Sequence, residues 1–143
     1  MNYDLRSYVR VYKNFLKKET CEDTLVRLKE IEFEQHKFYD HSTGIAEPKS
    51  GKDELDSFCD MNGDMVKQSP FLIAVLWSAI KQYQEQLELP WFDTWEAYSP
   101  IKYNKYTENK KMAPHVDHIK SLFKGKNRGV PILTCLGLLN DDY

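Results

Sequence analysis

Met112-Ala-Pro-His-Val-Asp117 sets an imidazole and a carboxylate two residues apart. In an extended segment successive side chains alternate faces, so His115 and Asp117 share one side while Val116 and His118 take the other. Two of the three ligands of a 2-His-1-carboxylate facial triad would then stand together, the arrangement that holds non-haem ferrous iron. His and Asp are both common residues. Taken alone, the pair reads more readily as a surface strand carrying two polar groups. The neighbouring residues decide between the two.

Upstream lies Ile101-Lys-Tyr-Asn-Lys-Tyr106, a tyrosine-bearing run with strand-like alternation. Downstream, after a basic loop, comes Val130-Pro-Ile-Leu-Thr-Cys-Leu-Gly-Leu-Leu-Asn140-Asp-Asp-Tyr143. Lys105-Tyr106, Pro114-His115-Val116-Asp117 and the Thr-bearing apolar run from Ile132 to Asp142 together resemble the prolyl 4-hydroxylase-like branch of the Fe(II)/2-oxoglutarate dioxygenases. The likeness covers residues 98–143 and is closest in character to members from phage and marine microbes. The chain departs from the family pattern in two places. Where the family often has a tyrosine on the Thr-bearing strand, this sequence has Gly137 and Leu138. The family's Gly-Gly pair, distal histidine and basic 2-oxoglutarate anchor have no counterpart before Tyr143.

Composition is compatible with that class and excludes others. A chain of 143 residues makes one domain, long enough to bury about two-thirds of its unfolded surface. It is 41% hydrophobic and 29% charged, ordinary values for a soluble globular protein. Nine Tyr, seven Phe and three Trp favour a sheet-rich core over a small helical bundle. A net charge of −2 argues against a dedicated nucleic-acid binder. Cys21, Cys59 and Cys135 are odd in number and lack CxxC spacing, which suits thiols in a reducing cytosol better than a disulfide framework. No membrane span and no signal-peptide core is visible, so the sequence reads as cytoplasmic.

In chain order, Tyr8 to Tyr12 alternates well enough for a first strand. Thr20 reads as an N-cap, opening a helix from about Cys21 to Glu34 with Leu25 and Leu28 on its packed face. Phe33 to Tyr39 reads as a second strand. From Asp40 to Asp64 the composition turns polar, with a short strand at Ser57 to Cys59 and a turn at Asn62-Gly63. The acidic residues here, with His41, match no Ca-binding template and read as a solvated loop. Ser69-Pro70 starts a helix that runs to Leu87 and supports the sheet; Trp77 belongs to its packing. Tyr98-Ser99-Pro100 reads as a bend, Ile101 to Tyr106 as a strand and Thr107 to Lys111 as a polar turn. Met112 to His118 then pairs back as a strand. Lys124, Lys126 and Arg128 lie in a basic loop, and Val130 to Leu139 reads as a strand buried on both faces. The fold class expected is α+β, N-terminal helices packed on an incomplete double-stranded β-helix, or jelly-roll, sheet. Residues 1–97 form the helical support region, and residues 98–143 the first part of the jelly-roll core.

The resemblance implies a chemistry and a site. His115 and Asp117 would be iron ligands, Tyr106 would offer its hydroxyl to 2-oxoglutarate, and Thr134 is a weaker candidate to line that pocket. The cofactors implied are Fe(II) and 2-oxoglutarate as cosubstrate, with ascorbate as an accessory reductant. O₂ is consumed, and succinate and CO₂ are released. The substrate implied is a peptide or protein side chain, prolyl among the options, or a small molecule, with no membrane and no nucleic acid as partner; the oligomeric state is not legible. With the distal ligands unmatched, the 143 residues read as a fragment that binds iron weakly and releases no succinate alone. Two other readings compete: a non-catalytic jelly-roll binding domain, and a zinc protein using His115, Asp117 and His118. Alternation sends His118 to the far face, which weakens the zinc reading.

Overall fold

A computed structural model describes residues 4–40, 42–48, 55–87, 98–112, 115 and 133–141. The described residues form a mixed α+β structure with two helices and small antiparallel sheets. A 3₁₀ turn, Leu5–Tyr8, precedes α1 (Lys18–Leu28). Then come β1 (Glu34–Gln35), β2 (Lys37–Asp40), β3 (Ile45–Pro48) and β4 (Asp56–Asp60), followed by α2 (Ser69–Leu87) and β5 (Ile101–Lys105). One sheet has the order β1-β4-β5; β2 and β3 form a separate hairpin.

Residues directly opposite in an antiparallel pair place their side chains on one face. Phe58 faces Tyr103 and Asp60 faces Ile101, whereas Ser57 faces Asn104 and Cys59 faces Lys102. The first set points into the core. Val66, Leu72 and Tyr103 are buried there, with Leu16, Leu28, Ile31, Phe33, Phe58, Ile101 and Leu139 packed around them. The rings of Phe33, Phe58 and Tyr103 run in contact across the three strands. Leu28 comes from α1 and Leu72 from α2, so both helices back this face. The second set, Ser57, Cys59, Lys102 and Asn104, occupies the opposite, polar face.

A buried carboxylate fixes where α2 begins. Asp60, 1% exposed, ends β4. Its Oδ1 accepts from the amides of Asp64 (3.2 Å) and Met65 (3.3 Å), and its Oδ2 from the Val66 amide (3.0 Å). The Ser69 hydroxyl donates to the same Oδ2 at 2.7 Å. With that proton committed, the Tyr103 hydroxyl donates to Ser69 Oγ at 2.8 Å. The chain reaches this geometry through Gly63, whose φ of +70° is the left-handed conformation the Asn62-Gly63 turn requires. Burial alone would raise the Asp60 pKa; the Ser69 hydroxyl and the three amides outweigh it and hold the carboxyl below its ordinary range. Ser69 therefore serves Asp60 rather than capping its own helix.

Several sequence expectations are corrected. Tyr8 to Tyr12 is not a strand: the segment is pinned along α2, the Tyr83 hydroxyl donating to the Tyr8 carbonyl (2.8 Å) and Tyr12 bonding Gln86 (3.0 Å). The first helix begins at Lys18, not Cys21, and stops at Leu28; Thr20 lies inside it, its carbonyl taking the Thr24 hydroxyl at 2.6 Å. The expected strand from Phe33 to Tyr39 is split at His36, whose amide bonds the Leu55 carbonyl at 2.7 Å, so β1 and β2 enter different sheets. Residues 133–139 carry no strand assignment. They lie against α2 instead: the Cys135 thiol reaches the Leu76 carbonyl (3.9 Å), and Gly137 sits where a Cβ would be 3.2 Å from a Leu16 methyl. One side of the run is therefore covered, while Leu136 and Leu138 stand 77% and 62% exposed. Trp77 is 37% exposed rather than packed in the core, its ring beside Tyr98 and Lys81. The jelly-roll topology is thus not reached by the described strands.

Candidate functional site

β5 is the strand that sorts core from candidate site. Tyr103 turns into the helix-backed core, where burial first, and also the Asp60 charge, raise its pKa against the lowering bond with Ser69. Lys102 and Asn104 turn to the polar face, and Tyr106 lies one residue past the end of the strand. Tyr106 is 52% exposed, so its hydroxyl is not a satisfied core group. The expected turn follows: Lys110 N–H bonds the Thr107 carbonyl at 3.0 Å, and Asn109 takes a φ of +65°.

His36 is the polar face's buried member, 8% exposed. Its Nδ1 lies 3.1 Å from Ser57 Oγ, and its ring meets Phe38 edge-on at 4.7 Å. Burial, then the charges of Lys102 and His115, lower its pKa to about 4. The ring is therefore neutral at physiological pH. The same charge coupling brings His115, itself exposed, into electrostatic reach of this face. Nothing in a lone His-Lys-Phe sequence announces a buried ring at 36; its burial comes from Ser57 and Leu55, distant in sequence.

A pH dependence follows from His36. The unfolded chain takes up the imidazole proton near 6.5 and the folded chain only near 4. Protons therefore favour unfolding between those values, and the stability that His36 gives up as pH falls is lost across that window. His36→Gln is expected to flatten the fall in melting temperature between pH 6.5 and 4, measured by circular dichroism. An unchanged slope would mean that His36 titrates in the folded protein as it does in the unfolded chain.

The remaining candidates divide. Thr134 is exposed in the segment that runs along α2. Asp117, His118, Pro114, His41 and the basic loop of Lys124, Lys126 and Arg128 lie outside the described residues. Among the described residues no group of three or more His, Cys, Asp or Glu could hold a metal ion. His115 and Asp117 lie two residues apart in sequence, and of the pair only His115 is among the described residues. No helix among the described residues is long and apolar enough to cross a membrane. No family model, curated protein or solved structure matches this chain.

Proposed function

We propose that this protein is an Fe(II)- and 2-oxoglutarate-dependent dioxygenase that hydroxylates a peptidyl substrate, prolyl among the options, or a related small molecule, in the cytoplasm. The observation that carries the reading is the division of labour across the sheet. Helices and aromatics seal one face, while His36, Lys102 and Asn104 lie on the other, with His115 in electrostatic reach of His36 and Tyr106 exposed just past the strand. A rigid, helix-backed strand is the kind of support on which binding groups keep their geometry.

In this reading His115 and Asp117 would hold the iron. When bound, the metal supplies the centre at which O₂ oxidatively decarboxylates 2-oxoglutarate to succinate and CO₂ and oxidises the substrate. The protein's own share is placement: Tyr106 donates a hydrogen bond to a 2-oxoglutarate carboxylate, and the polar face offers donors while the sealed face keeps the strand straight. Ascorbate would keep the iron reduced. Thr134 is the weakest member of the set.

The test is binding of 2-oxoglutarate by the purified protein with and without Mn(II), an oxygen-inert stand-in for Fe(II), followed by succinate release with Fe(II) and air. Metal-dependent binding supports the reading; failure to bind 2-oxoglutarate with metal present would sink it. Binding without succinate release, which the sequence reading of these 143 residues also expects, would support cosubstrate recognition and not turnover. Tyr106→Phe, which removes one hydroxyl and keeps the ring, is expected to weaken 2-oxoglutarate binding by about 1–2 kcal/mol, the worth of a hydrogen bond to a charged group. A lower melting temperature with unchanged 2-oxoglutarate affinity would assign Tyr106 to packing.

A further inference from the structure

The turn beside the buried Asp60 carries a reactive peptide. Among the chain's asparagines only Asn62 is followed by glycine. Asn62 is exposed, and Gly63 has no side chain to crowd its amide nitrogen. A Cβ placed at Gly63 would meet nothing within 4 Å, so that side of the turn is open. In such a pair the glycine nitrogen can attack the carbonyl carbon of the asparagine side chain. A C–N bond forms, the bond to the side-chain amide nitrogen breaks, and that nitrogen leaves as ammonia, taking the peptide proton with it. Water then opens the cyclic imide at either carbonyl and leaves aspartate or isoaspartate at 62. The folded turn opposes the first step. Gly63 N–H donates to the Asp60 carbonyl at 3.2 Å, which keeps the proton on the attacking nitrogen and the peptide in place. The next three amides, those of Asp64, Met65 and Val66, are fixed on the Asp60 carboxylate. Asp60 therefore holds residues 63–66 with both its backbone and its side chain, and ring closure requires the bond to Gly63 to open first.

We propose that Asn62 is a modification site, an asparagine whose deamidation is restrained by the Asp60 network and whose conversion to isoaspartate undoes that network. Isoaspartate carries the backbone through the side-chain carbons, one atom longer between residues 62 and 63. The extra atom falls directly before the amides that Asp60 binds, so Asp64, Met65 and Val66 lose their register on the carboxylate. Ser69, at the start of α2, donates to the same oxygen as Val66. The displacement thus reaches α2 and, through Ser69, the Tyr103 hydroxyl of β5. The aspartate product keeps the native backbone and adds only a charge at an exposed position. The two products of one reaction therefore differ in what they do to the fold.

The experiment ages the purified protein in mildly alkaline buffer at body temperature. Peptide mapping by mass spectrometry reads the loss of the amide at 62, and isoaspartyl methyltransferase labelling separates isoaspartate from aspartate. The rate is measured in the folded protein, in the same protein unfolded in guanidinium chloride, and in folded Ser69→Ala. Conversion is expected to be about tenfold or more slower in the folded protein than in the unfolded chain, because it waits on local opening. Ser69→Ala, which loosens the network, converts at a rate between the two. The isoaspartate fraction unfolds at a lower urea concentration than the unaltered protein, whereas Asn62→Asp keeps nearly the unaltered midpoint. Asn62→Gln keeps the midpoint and does not convert. Equal rates in the folded and unfolded chain, or a Ser69→Ala rate no faster than that of the unaltered protein, overturn the restraint by Asp60. An isoaspartate fraction with an unaltered midpoint overturns its effect on the fold, and absence of conversion in the unfolded chain overturns the site itself.

Discussion

Asp60→Asn is expected to destabilise the fold by about 3 kcal/mol, more than any other single polar change among the described residues, because it strips a buried acceptor from several donors at once. Asp60 receives three backbone amides and the Ser69 hydroxyl, which in turn receives Tyr103. An asparagine amide has the same shape but replaces one acceptor oxygen by an NH₂ donor. Whichever way it turns, donors meet donors: at the Asp64 and Met65 amides in one orientation, at Val66 N–H in the other. The connection between β4, α2 and β5 passes through this carboxylate, so the loss falls on all three. Tyr103→Phe removes a single link and is expected to cost about 1 kcal/mol, whereas Ser69→Ala removes two and is expected to cost about 2 kcal/mol. Urea denaturation read by Trp fluorescence measures all three. Equal midpoints for Asp60→Asn and Ser69→Ala would show that the amides find other acceptors.

The same carboxylate gives the acid limb of stability a second component. Its folded pKa lies below the ordinary value of 3.8, so the unfolded chain is protonated first. The contribution is complete above 3.8 and is lost as pH falls through the depressed folded value. That window lies below the one set by His36, and Asp60→Asn is expected to remove it while leaving the His36 limb in place.

What could be read ahead of the structure depended on whether the signal was local. Ser69-Pro70 and the apolar run after it locate α2, because a first-turn proline and a broad apolar stripe need no distant partner. Ile101 to Lys105 and the Asn62-Gly63 turn are legible for the same reason. Asp60 was not: in sequence it is one more acid in a polar stretch, and its burial depends on the loop from 64 to 69 folding back over it. Alternation misled at Tyr8 to Tyr12 because a period of two asks only that one side be covered, and α2 covers it through Tyr83 and Gln86. The apolar run at 133–139 misled in the opposite sense. Continuous hydrophobicity suggests two covered faces, yet Gly137 lets the segment settle on Leu16 and Leu76 with Leu136 and Leu138 outward. On the site, the contact of His36 with Ser57 and its charge coupling to His115 required the tertiary fold.

His115→Ala and Asp117→Ala are each expected to abolish metal-dependent 2-oxoglutarate binding and the turnover that depends on it. Removing a direct ligand from a site of few protein ligands leaves too little to hold the ion against water, so the loss is expected to exceed about a hundredfold, beyond the effect of losing a residue that only orients a ligand. The fold gives a way to separate this from damage. His115 is exposed and contributes no packing to the Val66, Leu72 and Tyr103 core. Its loss should therefore leave the melting temperature within about 1–2 °C, the shift that goes with less than 0.5 kcal/mol. His115→Ala also removes one of the charges that lower His36, so the His36 ring proton should titrate slightly higher by NMR. That readout is independent of iron and reports whether His115 really stands beside the polar face. His118→Ala is the control: strand alternation would direct it away from His115 and Asp117, and its replacement is expected to change metal binding little. Equal losses for His118→Ala and His115→Ala, with zinc retained by the unaltered protein, would replace the facial triad with a three-ligand zinc site. Near-normal turnover after His115→Ala would remove the imidazole, and with it the iron reading, from this face.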